Sequence, residues 1–322
     1  MSRIGGDFPP EALAELIRSV LPDPPGVPSF APVRTGKYNN SFFVDGWKKP
    51  LVLRIAPPDN RGQNLFYEFR MMRQEPGIHA LVRSRTDAPV PEIIAHGIGH
   101  PALDRDFVLM ERLPGRPIAD LSLDHKKADG VISSVGRAMA QVHAITGNEY
   151  GYLGPHRPMD PQKDWPSAFR IMWNKLLDDI ASCDGYPRED ADRMRRLLDR
   201  HAAAFDQPVP SSLLHMDIWA ENILCTPGGR LTGLIDWDRG LWGDPEIEFA
   251  VLDYCGMSGP AFWEGYGRKR ESSPEAEIRR IFYLLYEMQK YIFISRVRGN
   301  DPDGADGYRK QCLPLAARLE GQ

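Results

Sequence analysis

Long apolar runs are missing from this chain, and so is any large surplus of charge. No stretch approaches the ~18 consecutive apolar residues that span a bilayer. The opening residues, MSRIGGDFPPEALAELIRSV, lack the apolar core of a secretion signal. Forty Lys and Arg against 44 Asp and Glu leave a formal net charge of -4, which gives no broad attraction to nucleic acid or anionic membrane. Cysteine is scarce: Cys183, Cys225, Cys255 and Cys312 lie far apart and form no CxxC pair, which argues against a disulfide framework or a cysteine-held zinc. Repeats and low-complexity tracts are absent. These absences predict a cytoplasmic protein with neither nucleic acid nor membrane as partner. What is present is 322 residues with 42% hydrophobic content, enough for a sizeable core in one large domain or two lobes.

The first hundred or so residues read as a small mixed domain. Glu11–Val20 has apolar residues at helical spacing, and Pro-rich residues 21–32 read as a connector. Two apolar runs, SFFV and LVLRIA, flank Asp45-Gly46 and predict a hairpin. Residues 64–75 place Leu65, Phe69 and Met72 on one helical face, and Pro76-Gly77 reads as the stop. VPEIIAHG and DFVLMERL then read as two more strands. Beyond the connector Pro114-Gly115-Arg116-Pro117, helical patterns dominate: residues 131–145, 168–180, 191–205 and 275–297. The last of these aligns Ile278, Ile281, Leu285, Met288 and Ile292, which predicts a deeply packed helix. Ile223–Cys225 and Leu231–Trp237, separated by Pro227-Gly228-Gly229, read as another hairpin.

Charge is distributed unevenly. Residues 1–112 are nearly balanced, whereas Asp236–Glu264 carries seven acidic residues and one basic one, Arg239. A cationic partner for the second half follows as one expectation, solvated or structural carboxylates as the other.

The most informative stretch is LLHMDIWAENILCTPGGRLTGLIDWDRGLWGDPEIEFA, residues 213–250. It holds His215-x-Asp217-x-x-x-x-Asn222, a hairpin, and then Asp236 fourteen residues after Asn222. Phosphoryl transfer from a nucleotide needs such groups: one carboxylate to orient the acceptor hydroxyl, and an amide oxygen with a second carboxylate to hold magnesium on the phosphates.

This spacing resembles the catalytic loop and metal-binding aspartate of protein kinases. It is closer to the aminoglycoside phosphotransferase family, whose pattern HxDxxxxN, hydrophobic-Asp-Trp, GDP stands here as His215-Met216-Asp217…Asn222, Ile235-Asp236-Trp237 and Gly243-Asp244-Pro245. VLRIAPP, FVLMERLPGRP and GRAMAQVHAI follow the family's order. The resemblance implies an α+β, two-lobed protein-kinase-like fold. A small antiparallel-sheet lobe would span residues 1–112, a hinge about 110–117, and a larger, mainly helical lobe 113–322. It implies that Asp217 is the catalytic base or hydroxyl-orienting group, that His215 supports the loop, and that Asn222 and Asp236 bind magnesium. Asp244 would anchor the loop, and Asp238 would assist the metal or contact the acceptor. Met216 stands where the family most often has glycine, which predicts altered packing under the loop. Trp219 is similar to the fructosamine-kinase version of the motif, although Glu221 replaces a glycine.

The nucleotide end departs from protein kinases, because no GxGxxG is present. The segment Thr35-Gly36-Lys37-Tyr38-Asn39-Asn40-Ser41 resembles the family's shorter phosphate loop, which implies contacts from Gly36, Asn39, Asn40 and Ser41. Arg54 occupies the position of the phosphate-binding lysine, and Glu68, fourteen residues on, that of its ion-pair partner. An arginine meets the same electrostatic need through two N–H groups. Met110, Glu111 and Leu113 resemble the adenine-binding hinge.

The expected activity is transfer of the γ-phosphate of ATP (or GTP), with Mg2+, to a hydroxyl of a small molecule. A cationic antibiotic such as an aminoglycoside is the first acceptor, bound near Asp238, Asp253, Trp263 and Glu264 with Trp242, Tyr254 and Tyr266 as stacking surface. A glycated amine, sugar or amino alcohol is the second. An inert nucleotide-binding module and a protein kinase rank below both; the latter lacks an APE-like signature and an evident activation segment.

Overall fold

The computed structural model describes residues 8–21, 26–33 and 38–321. Five strands form one antiparallel sheet: β1 (Ser29–Val33), β2 (Asn40–Asp45), β3 (Leu51–Ile55), β4 (Ile93–His100) and β5 (Arg105–Glu111), ordered β1-β2-β3-β5-β4. The helix α1 (Pro10–Val20) covers one face, packing Leu13, Leu16 and Ile17 against Val44, Leu53 and Leu109. Strand alternation turns Arg54 away from that face. β1 takes up the last four residues of the stretch read as a connector and extends to Val33. Its Pro32 is tolerated because β1 is an edge strand, where a missing N–H costs no ladder bond.

The expected helix over 64–75 does not form. The chain there makes 3-10 turns at Arg61–Gln63 and Met71–Gln74, broken by a left-handed Arg70, and α2 runs over Glu75–Arg85. Pro76 lies in the first turn of α2, where its missing N–H has no intrahelical acceptor and its fixed φ suits the helix. The proline that reads as a stop is a start.

Helices dominate the rest: α3 (His125–His143), α4 (Trp165–Ser182), α5 (Arg188–Arg200), α6 (Pro245–Tyr254), α7 (Pro260–Tyr266), α8 (Pro274–Phe293) and α9 (Pro302–Glu320). Short strands β6 (Arg116–Pro117), β7 (Thr146–Gly147), β8 (Ser211–Leu214), β9 (Ile223–Cys225), β10 (Leu231–Leu234) and β11 (Leu241–Gly243) make two small sheets, β10-β9-β6 and β11-β8-β7. The fold is two-lobed, α+β and protein-kinase-like. α8 is its spine, with Phe282, Leu285 and Tyr286 buried among Phe169 and Trp173 of α4 and Leu319 of α9. It runs directly into a π turn, Ile294–Arg298. α3 and α7 touch through glycine: a Cβ on Gly136 would lie 2.2 Å from the Phe262 carbonyl oxygen, so no larger residue fits. Among the described residues, no helix is long and apolar enough to cross a membrane.

Candidate active site

The loop 215–222 joins two buried strands, β8 and β9, which fix its ends. Its start is held by Glu248 of α6. That carboxylate accepts the backbone N–H of His215 and of Met216, each at 2.7 Å, and lies 3.1 Å from His143 Nε2. This anchoring was expected of Asp244. Asp244 instead caps α6, accepting the Glu246 N–H at 3.0 Å and the Tyr283 hydroxyl at 2.8 Å. Asp244 is the N-cap of α6 and turns back onto the helix's first turn, whereas Glu248, one turn further along the same face, reaches the loop.

His215 is wholly buried, with both ring nitrogens engaged. Nε2 lies 3.0 Å from the Ile235 carbonyl, which can only accept, and Nδ1 then receives the Asp217 N–H at 3.2 Å. Burial also pushes its pKa down, so the ring is a neutral brace. Asn222 donates Nδ2 to the Asp217 backbone carbonyl and to its carboxylate Oδ2, both at 2.9 Å. That leaves the amide oxygen as the donor available to a cation. Burial raises the Asp217 pKa, opposed chiefly by Lys290.

Across the cleft, Arg54 is only 7% exposed and meets three carboxylates. It pairs with Glu75, with Asp236, and with Asp238 at 3.0 Å. Burial works against its charge, yet Asp236, Glu75 and Asp238 outweigh that and raise its pKa. Glu68 is not its partner: Glu68 binds Arg298 at 2.9 Å, on the π turn. Because the helix begins at Glu75, that residue's carboxylate reaches Arg54, while Glu68, in the turn before the 3-10 segment, pairs with the larger lobe. Asp236 takes a left-handed φ of 71°.

Asn39, just before β2, donates to Asp238 Oδ2 at 2.8 Å. Asn39 Oδ1 and Asn40 Nδ2 are buried with no partner among the described residues. Ser41 sits on β2 opposite Arg54, and Gly36 lies outside the described residues. Met110 is buried on β5 beside Met72 and Val108. The Glu111 N–H bonds to the Glu92 carbonyl at 2.9 Å, and Leu113 packs over Gly233. A cavity of about 510 Å3 lies beside Tyr38 and Asn39, but Asp217, Asn222 and Asp236 do not line it.

Of the residues expected to hold a cationic acceptor, Asp253 and Trp263 are already committed elsewhere. Asp253 accepts from Ser258 at 2.5 Å and from Arg270 at 2.7 Å. Trp263 packs on Phe249 and lies 5.7 Å from the Arg270 guanidinium carbon. Glu264 is exposed and lines an open depression with Trp263 and Arg268, to which the 215–222 loop contributes nothing. Trp242 and Tyr266 pack into the core with Val142 and Phe262. Tyr254 stands in an aromatic ladder, stacked on Tyr291 at 5.5 Å, which stacks on Tyr308 at 5.1 Å. Burial and the nearby carboxylates of Glu287 and Asp217 raise the Tyr291 pKa.

The sequence profile of the phosphotransferase enzyme family, APH, matches residues 29–280. The chain belongs to that family. A probable ketoamine kinase of Vibrio parahaemolyticus is 28% identical over 269 residues, covering 79% of this chain and 82% of that one. Hygromycin-B 4-O-kinase of Escherichia coli is 24% identical over 285 residues, covering 84% and 75%. Among solved structures, a thermostable mutant of aminoglycoside phosphotransferase APH(4)-Ia in a ternary complex with AMP-PNP and hygromycin B aligns with a TM-score of 0.66 at 18% identity, over 95% of this chain and 98% of that one. The family and its named kinases make this phosphotransferase a small-molecule kinase.

Sequence reasoning missed Glu75, Glu248, Arg239, Glu287 and Lys290 in this phosphotransferase. Glu75 had a usable signal, the following Pro76. One further carboxylate predicts a pH effect. Burial, with Asp244 alongside, pushes the Glu246 carboxyl up to about 7, opposed by Arg270. The folded protein therefore holds that proton more tightly than the unfolded chain, so its contribution to stability is full below pH ~4.5 and declines as pH rises towards 7. Glu246→Gln removes this decline. Thermal melts at pH 5 and 8 are expected to show a smaller drop for the variant by about 2–4 °C, equivalent to ~1 kcal/mol. Equal drops would assign the slope to other groups.

Proposed function

We propose that the protein transfers the γ-phosphoryl group of ATP, or of GTP as the alternative, to a hydroxyl of a small metabolite, with Mg2+. The observation that supports this most is the Asp217–Asn222 pair beside Asp236, whose neighbour Ile235 gives its N–H to the Asn222 carbonyl, with Arg54 of β3 paired to Asp236 from across the cleft. Asp217 would orient the acceptor hydroxyl and receive its proton as the new O–P bond forms and the bond to ADP breaks. Arg54, carried by a rigid strand, would turn its guanidinium from Asp236 to the phosphate oxygens. Most of the rate enhancement in such a site comes from positioning and fixed charge.

The donor set suits magnesium. Three carboxylates converge on one guanidinium, an excess of negative charge that a divalent cation would balance, and the ligands offered are oxygens. Asn222 and Asp236 would hold the ion, which would neutralise charge on the transferring phosphate. Asp238, bonded to both Arg54 and Asn39, would tie the phosphate loop to the metal side.

The acceptor reading shifts from a polycationic antibiotic to a hydroxyl-bearing metabolite. Asp253 is already neutralised by Arg270, and Lys290 and Arg239 balance Glu287 next to the candidate loop. The name ketoamine kinase of one relative agrees with a metabolite, that of hygromycin kinase with the antibiotic. ADP release from the purified enzyme, measured with magnesium across sugar, ketoamine, amino-alcohol and aminoglycoside panels, tests this. The best metabolite is expected to exceed the best aminoglycoside in kcat/KM by tenfold or more, about 1.4 kcal/mol. An aminoglycoside as best acceptor would restore the antibiotic reading, and no stimulation by any acceptor would count against both.

A further inference from the structure

Met216, immediately before Asp217, has a φ of 67°, in the left-handed region that favours glycine. An ordinary L-residue there costs about 1–2 kcal/mol, and such strain persists only where its surroundings over-determine it. Two buried charges do so here. Glu248 holds the Met216 N–H from one side, and Arg239 donates Nη1 to the Met216 carbonyl at 2.7 Å from the other.

Arg239 is 6% exposed and has a second anchor. The same Nη1 reaches Glu287 Oε2 at 3.0 Å, and Glu287 Oε1 binds Lys290 at 2.5 Å. Its guanidinium carbon lies 5.2 Å from the centre of the Tyr67 ring. Glu287 and Lys290 belong to α8, whose next residue, Tyr291, carries the tyrosine ladder. The peptide bond between Met216 and Asp217 is thus joined to α8 through a single guanidinium.

We propose that Arg239 is a positioning residue for phosphoryl transfer. It holds the left-handed Met216 so that the Asp217 carboxylate faces the acceptor, and Glu287 ties that alignment to α8. The inference rests on Asp217 as the group that orients the acceptor. A merely structural arginine would support packing alone, and its loss would not depend on what occupies position 216.

A double-mutant cycle on the full-length protein separates these roles. Arg239→Gln leaves Glu287 paired with Lys290, so no carboxylate is stranded. Its kcat is expected to fall by about 10–100-fold, the cost of a small misplacement of a reacting group, while the nucleotide dissociation constant changes by less than about threefold, under ~0.7 kcal/mol. Arg239→Lys, which keeps a donor for the Met216 carbonyl, recovers part of the loss. Glycine adopts the left-handed backbone without strain, so in the Met216→Gly background Arg239→Gln costs less than about threefold in kcat, a coupling the cycle reads directly. Equal losses in both backgrounds, or unchanged kcat in a folded Arg239→Gln enzyme, would overturn the proposal. Should Arg239→Gln fail to fold, Glu287→Gln serves in its place and is expected to show the same dependence on position 216; an equal loss in both backgrounds would again overturn it. Failure of the Asp217 reading would show separately, as activity retained by Asp217→Asn.

Discussion

Asp217→Asn is expected to lower kcat by about 10²–10⁴-fold, the usual contribution of a positioned general base. The fold and the nucleotide affinity stay near those of the parent. The asymmetry follows from the geometry. The Asp217 carboxylate accepts from Asn222 Nδ2 at 2.9 Å, and an asparagine can still offer an oxygen to that amide, so the loop keeps its shape. His215 and Glu248 hold the backbone independently of the side chain. What is lost is a charged acceptor for the hydroxyl proton. Single-turnover kinetics with saturating ATP and acceptor, beside equilibrium nucleotide binding, check this. Near-normal turnover with every active acceptor would remove Asp217 from the reaction.

The second large effect is expected at Asp236. Asp236→Ala lowers turnover by about 10²–10³-fold, the scale of losing one preorganised electrostatic contact in a reacting site. It also abolishes the gain in nucleotide affinity that magnesium brings. Asp217→Asn preserves that gain. Arg54 keeps Glu75 and Asp238 after the substitution, so the buried guanidinium is not stranded and the lobe survives. Nucleotide titrations with and without magnesium, for parent and variant, decide the matter. A variant whose affinity still rises with magnesium would assign the ion to other ligands.

The site's carboxylates differ in how much they disclose before folding. Asp217, Asn222 and Asp236 fall within one contiguous motif, and the short β9–β10 hairpin brings its two ends together. Glu68 was the expected partner of Arg54 and Glu75 was not weighed, although both follow β3 at distances a helix could bridge. The choice turned on where the helix begins, and Pro76 at its first turn was the available cue. Asp244 caps α6 and Glu248 lies one turn further along it, and only the packing of that helix determines which of the two reaches the loop. The acidic stretch to Glu264 is a run of charge in one dimension. In three dimensions Arg270 and Arg279 enter it from outside, and much of its apparent pull on a cation disappears.

The change from a strand-rich first part to a helical second part and the motif that marks the family were legible in the sequence alone, whereas β1 and the start of α2 were not. The first two are written in the periodicity or spacing of residues close together in the chain. The charge partners were decided only by tertiary structure. Arg54 and Asp236 are 182 residues apart, and Glu68 and Arg298 are 230 apart. An ion pair depends on a few ångströms of space and on exclusion of water, neither of which has a signature along the chain. The same holds for Met216, whose strained backbone is legible only once Glu248 and Arg239 are seen on either side of it.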